Sequence, residues 1–258
     1  TVLGSGTSHG VPSIGCDCPV CRSADPRDRR TRPSIRVEIT HAAGEPALAR
    51  AVASILVDTS TDLRSQALAY DVRRVDAILF THSHADHIFG LDETRRYNAL
   101  QQDAIGCYGS GETVEDIRRT FSYIFRPPTQ QGGGIPQLRL FRVEGAFTMA
   151  GIDVVPVPLL HGKMPVFGYR MGPFAYLTDC NQIPDASWPL LDGVRVLIIG
   201  ALRDRPHPTH FSVAEALTVV ARLGPEQAYF THICHDLPHE ATCARLPAGV
   251  ALAYDGLV

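Results

Sequence analysis

Three imidazoles and one carboxylate fall together in Thr81-His82-Ser83-His84-Ala85-Asp86-His87. A divalent metal in a catalytic site binds side chains of these types. The apolar run Val75–Phe80 precedes them and reads as a buried strand ending at Thr81. Side chains alternate along a strand, so His82 and His84 leave its end on one side. The chain must then turn, because Ile88–Leu91 followed by Glu93–Leu100 reads as a helix, with Asp86 and His87 near its start. Two ligands from each of two places suit a pair of ions better than one, and hydrolytic pairs sit about 3.5–4 Å apart.

A second cluster, Cys16-Asp17-Cys18-Pro19-Val20-Cys21, is made of soft ligands. Zinc in a structural site takes four such ligands in a tetrahedron. The fourth must come from elsewhere: His235 is the best candidate, and Cys234 and Cys243 compete with it. The ion would pin a Gly- and Pro-containing loop that has little core of its own. The chain has 7 Cys, an odd number, and three of them are crowded here. That favours a metal site in a reducing cytoplasm over a disulfide framework.

Short apolar runs must carry these groups. Thr1–Leu3, Ser34–Ile39, Ser54–Val57, Ile105–Gly109, Leu138–Val143, Phe147–Met149, Ile152–Val157 and Val194–Ile199 read as strands. Phe167–Met171 and Phe174–Leu177, split by Gly172-Pro173, read as a hairpin. Helical spacing covers Leu63–Tyr70 and Glu112–Tyr123, and a helix begins at Ser212 and ends before Gly224-Pro225. Gly4–Pro12 reads as a Gly-rich loop, either facing an anion or making a tight turn; it lacks the third Gly of a dinucleotide fingerprint. In Arg22–Arg36 the charges form a solvated, ion-paired connection, or Arg29, Arg30 and Arg32 face a phosphate. His41–Ala49 reads as a loop with His41 exposed. Phe125–Pro136, with its prolines and glycines, reads as a lid or a surface loop. His239 is expected to be exposed.

The order His-x-His-x-Asp-His after a strand resembles the signature of the metallo-β-lactamase-fold hydrolases. That resemblance implies a lone His, a bridging Asp and a last His, in that order. His161 after Val154–Leu160, Asp179 after Phe174–Thr178 and His232 after Ala228–Thr231 match it. It also implies that His82, His84 and His161 hold one metal, that Asp86, His87 and His232 hold the other, and that Asp179 holds both. Asp58 would orient the ligating histidines, unless it caps the helix Leu63–Tyr70. The early Cys-x-Cys-x-x-Cys with a late His is similar to the PhnP-type phosphodiesterases. His210, ahead of an Ala-containing helix, resembles the His of the phosphodiesterase and transfer-RNA 3′-processing branch, which contacts the phosphate or protonates the leaving oxygen.

The resemblance implies an α+β fold, a four-layer αββα sandwich, in a single domain over residues 1–258 with a zinc-binding loop at about 10–36. It implies two active-site ions, zinc or manganese, and one structural zinc. Asp86 and Asp179 neutralise two of four metal charges and a bridging hydroxide a third; the residue suits an anionic phosphodiester, possibly cyclic, with His210 and Asp86 as the catalytic side chains. A transfer-RNA 3′-processing nuclease is disfavoured by the net charge of −3 and by Lys163 being the single Lys. A lactonase, thioesterase or β-lactamase would use the same metals on a carbonyl. The expected partner is a small anionic molecule, with a homodimer allowed and nucleic acid disfavoured. No apolar run reaches the roughly 18 residues of a membrane span, and no signal peptide is visible, so a cytoplasmic protein is expected. A thiol, Cys180, adjoins Asp179; in extended backbone it would point away.

Overall fold

The strand β1 (Val2–Gly4) is tied to the last turn of the chain: Val2 N–H donates to Leu257 O and Gly256 N–H to Val2 O, each at 2.8 Å. The structure, a computed structural model, describes residues 1–40, 53–126 and 134–258. The His41–Ala49 loop and the Pro127-Pro128 and Gly132-Gly133 portion of the lid reading lie outside them. The chain divides into two compact units, one of Thr1 with Ser34–Glu144 and one of Val2–Pro33 with Gly145–Val258.

In the first unit, β2 (Ser34–Ile39) runs antiparallel to β3 (Ala53–Val57), with Ile35 opposite Val57. Then β3, β4 (Ala77–Leu79), β5 (Ile105–Gly109) and β6 (Leu138–Arg142) are parallel neighbours. Every residue of β3 and β4 is buried, as parallel strands covered on both faces require. The helices are α1 (Leu63–Ala69), α2 (Ala85–Ile88), α3 (Arg95–Gln101), α4 (Gly111–Thr120) and α5 (Ser122–Phe125). The single helix expected after the histidine cluster is broken into α2, a 3-10 turn at Leu91–Thr94 and α3. Gly90 explains the break. Its N–H donates to Thr59 O at 3.0 Å, and a Cβ there would run into the Ser60 carbonyl and the Leu63 side chain. The helix expected to reach Tyr123 stops at Thr120, where Phe121 leaves helical geometry and buries its ring.

The second unit holds β7 (Phe147–Met149), β8 (Ile152–His161), β9 (Met164–Met171), β10 (Phe174–Leu177), β11 (Val196–Gly200), β12 (Gln227–Thr231) and β13 (Val250–Leu252). The sheet order is β13-β12-β11-β10-β9-β8-β7, parallel from β10 to β13 and antiparallel from β7 to β10. β8 extends past the expected Val157 to carry His161 at its end. Helix α6 (Val213–Leu223) starts in a capping box, Ser212 Oγ accepting from Glu215 N–H and the Glu215 carboxylate from Ser212 N–H, and ends at Gly224 with φ +60°. Its Val213, Ala216 and Val219 pack with Leu177, Leu197, Ile199 and Phe230 in the unit's core. Each fully buried large apolar side chain contributes about 1.5–3 kcal/mol.

Two expectations fail here. His239, read as exposed, is buried at the start of α7 (His239–Cys243), its N–H donating to Asp28 Oδ1 at 2.8 Å. Arg30, read as a solvated or phosphate-facing cation, is fully buried. It pairs with Asp28 at 2.9 Å and donates to the carbonyls of Cys234 and Leu237 at 2.9 and 2.7 Å. A charged residue in a polar, Arg- and Asp-rich stretch reads as surface on composition, whereas this guanidinium donates to three main-chain carbonyls and one carboxylate that burial would otherwise orphan.

Candidate metal centres

In the first unit the chemistry gathers beyond the carboxyl ends of β3 and β4, where ligands collect in parallel sheets. Asp58 follows β3 with φ +64°, a left-handed turn that costs a non-glycine residue about 1–2 kcal/mol. The bend aims its carboxylate at Thr81, whose N–H and hydroxyl donate to the two oxygens at 2.8 Å each. His87 Nδ1–H donates to Asp58 Oδ2 at 2.7 Å. Because the Thr81 hydroxyl proton is used on Asp58, Thr81 Oγ1 accepts from His82 Nδ1–H at 3.0 Å. Both imidazoles therefore carry the lone pair on Nε2, the tautomer a metal needs. Asp58 caps no helix, since the N-cap of α1 is Asp62. Burial pushes the Asp58 carboxyl above its usual range, opposed by His87 and Thr81.

His82 Nε2 and His84 Nδ1 stand 2.9 Å apart, near the about 3.3 Å edge of a tetrahedral imidazole site. His87 Nε2 lies 3.4 Å from Asp86 Oδ2. His82, Asp86 and His87 are buried, while His84 is exposed. This half-set is a donor arrangement that suits divalent ions.

In the second unit His161, Asp179, His210 and His232 come together. Asp179 and His232 follow β10 and β12 with φ +50° and +55°, so the same left-handed device recurs at two more strand ends. Strain of this kind concentrates where geometry is functional. Asp179 Oδ1 is 2.9 Å from His232 Nδ1 and accepts from the Thr178 hydroxyl at 2.7 Å. His161 Nδ1–H donates to Thr209 O at 2.8 Å, which places its lone pair on Nε2. The His210 ring stacks on His232 at 4.8 Å and meets His161 edge-on at 4.6 Å. Burial first, then His232, pushes the His210 imidazolium down to about 3, so the ring is neutral by itself. Asn181 holds the turn after His161: its Oδ1 accepts from Gly162 N–H at 2.7 Å and its Nδ2 donates to Pro208 O at 3.2 Å. Cys180 is buried in the core beneath Asp179, and the turn that sends it there is left-handed at Asp179, not extended.

The Gly-rich loop lies along the same strand end. Ile233 N–H donates to Ser5 O at 3.0 Å, and Thr7 Oγ1 stands 3.2 Å from His232 Nε2. Asp255 accepts from the N–H and hydroxyl of both Ser5 and Thr31 at 2.6–2.8 Å, which anchors the loop. Gly6 is required by close approach: a Cβ there would meet Arg30 O at 2.8 Å.

The thiol cluster also closes within this unit. Cys16, Cys18 and Cys21 Sγ lie 3.2, 3.5 and 3.4 Å from His235 Nδ1. Zinc bond lengths give about 3.5 Å for a sulfur–nitrogen edge of a tetrahedron, so these four fit one zinc. Cys234 and Cys243 stand outside this group of four. The Cys21 N–H donates to Cys18 Sγ and brings that thiol down to about 7, while burial pushes Cys21 up to about 11.

Sequence reasoning supplied the ligand candidates but not Thr81, Thr209, Asn181, Thr7 or Asp255. Thr81 alone left a signal, a hydroxyl directly before His-x-His at a strand end.

The sequence pattern described as the beta-lactamase superfamily domain matches residues 53–233. A diphosphatase of the PhnP family, known from its crystal structure, is 44% identical over 100% of this chain and 95% of its own, with TM-score 0.88. The octanoyltransferase of Porphyromonas gingivalis is 36% identical over 258 residues, 99% of this chain; the chain spans 50% of that protein's length. Zn(2+)-bound PqqB from Methylobacterium extorquens has the same fold at 18% identity, TM-score 0.77, over 99% of this chain and 97% of its own.

Proposed function

The chain belongs to the PhnP family of the β-lactamase superfamily and has its α+β metallo-β-lactamase fold, and from that premise we propose that it is a metal-dependent hydrolase of phosphoric diesters. The observation that carries this reading is the tautomer control of His82, His87 and His161, each of which donates Nδ1–H and keeps its lone pair on Nε2. A polar turn with incidental histidines has no reason to orient three imidazoles alike. In this reading the two units work as one hydrolase domain. His82, His84 and His161 would hold one divalent ion, Asp86, His87 and His232 the other, and Asp179 would serve both; zinc and manganese would each suit the set. When bound, the ions supply an acidified water and a sink for charge on the phosphoryl oxygens.

The protein's own groups do the rest. Asp58 and Thr81 lock the rings of His82 and His87, and Thr209 locks His161. With two divalent ions bound, the two carboxylates would leave the centre net cationic, which would attract an anionic phosphodiester. His210 directs an imidazole N–H at a phosphoryl oxygen or at the leaving oxygen as it departs. The PhnP-family relative, a diphosphatase, supports phosphorus as the reacting centre.

The likeness to the octanoyltransferase favours a second reading, attack on an acyl carbonyl. Hydrolysis of bis-p-nitrophenyl phosphate, nitrocefin, a lactone and octanoyl-coenzyme A, with and without manganese, separates the two. Metal-dependent turnover of the phosphodiester is expected; turnover of the carbonyl compounds alone overturns the proposal.

A further inference from the structure

The turn between His82 and His84 is tied to a helix that carries none of the candidate ligands. Side chains alternate along an extended chain, and the contacts here keep to that pattern. His82 Nε2 and His84 Nδ1 meet at 2.9 Å. Ser83, between them, turns instead to α4, where its hydroxyl donates to Asp116 Oδ2 at 2.6 Å. A hydrogen bond this short to an ionised acceptor is of the strong class. Asp116 is tethered in its turn, because Arg119, one turn along α4, pairs with its other oxygen.

Helix α4 is itself held close to the strand end that leads into the histidines. Its N-cap Ser110 accepts from Thr113 N–H at 3.1 Å. Gly109, the last residue of β5, lies so near that a Cβ there would meet the Thr113 side chain at 3.3 Å and the Phe80 side chain at 3.5 Å. Phe80 N–H donates to Tyr108 O at 2.7 Å, which fixes the two strand ends to each other. Thr113 and Asp116 are three residues apart on α4 and so share a face of it.

This tie matters most for His84. His82 and His87 are buried, and Thr81 and Asp58 orient their rings. His84 is exposed, at the N-cap of α2, where its side chain makes no capping hydrogen bond. Ordering an exposed side chain costs rotamer freedom, so a ligand placed there gains from a backbone held in advance. Ser83 is the neighbour through which that backbone is held.

Resting on the metal-dependent reading above, we propose that Asp116 is a positioning residue. Through Ser83 it sets the direction of His84, and with it the affinity for the ion assigned to His82 and His84. In this role Asp116 touches neither the ion nor the substrate.

The test is the manganese affinity of the full chain, read by competition with a chelator, which needs no turnover. Ser83→Ala and Asp116→Ala should each weaken it by about tenfold, the low end for supports of ligating histidines, while circular dichroism is unchanged. The double variant should be no weaker than either single one, because each removes the same bond. Ser83→Thr and Asp116→Asn keep a hydroxyl and an acceptor oxygen, and should recover most of the loss. Glu115→Ala removes from the same helix an exposed carboxylate paired with Arg142, and should bind as wild type does. Unchanged affinity in both single variants, losses that add in the double variant, or an equal loss in Glu115→Ala overturns the positioning role. A wild-type chain that takes up no manganese overturns the metal-dependent reading, and the role falls with it; that failure shows before any variant is made, whereas the others show only in the variants.

Discussion

The thiol cluster and the imidazole–carboxylate set of the second unit meet at His232 and His235, yet they are built in opposite ways. Cys16, Cys18 and Cys21 come from one loop, and all three sulfurs surround a single nitrogen at 3.2–3.5 Å. Four ligands would complete a tetrahedron around a zinc, so that set would be closed and serve only to hold the loop. His161, Asp179 and His232 come instead from three separate strand ends, two of them through left-handed backbone. That set is built on strand ends, two of them in strained turns, with the His161 tautomer assigned by the Thr209 carbonyl. On the proposed reading, the contrast would separate a metal that replaces missing core from metals that do chemistry.

The largest effect expected is on the second set. Asp179→Asn removes the proposed bridging charge and should lower kcat on bis-p-nitrophenyl phosphate by at least about 10³-fold while circular dichroism is unchanged, the scale seen when one preorganised charge-stabilising group is lost. A fall of only a few-fold would move Asp179 out of the chemistry.

Next comes the first unit. Asp58→Ala leaves His87 Nδ1 and the Thr81 donors without their acceptor, and metal affinity should fall about 10- to 100-fold, as for other supports of ligating histidines. Competition with a chelator reads this directly, and an unchanged affinity would make Asp58 a purely structural residue.

The thiol cluster should respond in stability and not in chemistry. Cys18→Ala should lose about one zinc per chain by metal analysis and melt several degrees lower. An unchanged zinc content would remove the structural site. The smallest effect is at Cys180, the thiol beside Asp179. Because it packs in the core, Cys180→Ala should cost about 1 kcal/mol of stability and leave turnover within about twofold. A loss of bound metal in that variant would make it a ligand and blur the contrast.

The sequence made the candidate ligands legible because each sits just past an apolar run, and such runs announce strand ends. Val75–Phe80, Phe174–Thr178 and Ala228–Thr231 each deliver their group as read. The groups that hold those ligands were not legible. Thr209 acts through a main-chain carbonyl, which no side-chain pattern records. Asp255 lies 250 positions from Ser5, the residue it anchors. Arg30 and His239 read as surface by type, and only the fold reveals that Asp28 pairs with one and caps the other. The break at Gly90 was hidden for a similar reason, since it answers to Thr59, Ser60 and Leu63 and not to helix propensity.

The most direct test of the proposed shared centre is an anomalous-scattering map from crystals grown with manganese and zinc. The account predicts three peaks: one among Cys16, Cys18, Cys21 and His235, one held by His82, His84, His161 and Asp179, and one held by Asp86, His87, His232 and Asp179. A map with only the thiol peak, or with the early histidines and His161, Asp179 and His232 holding separate ions, would contradict it.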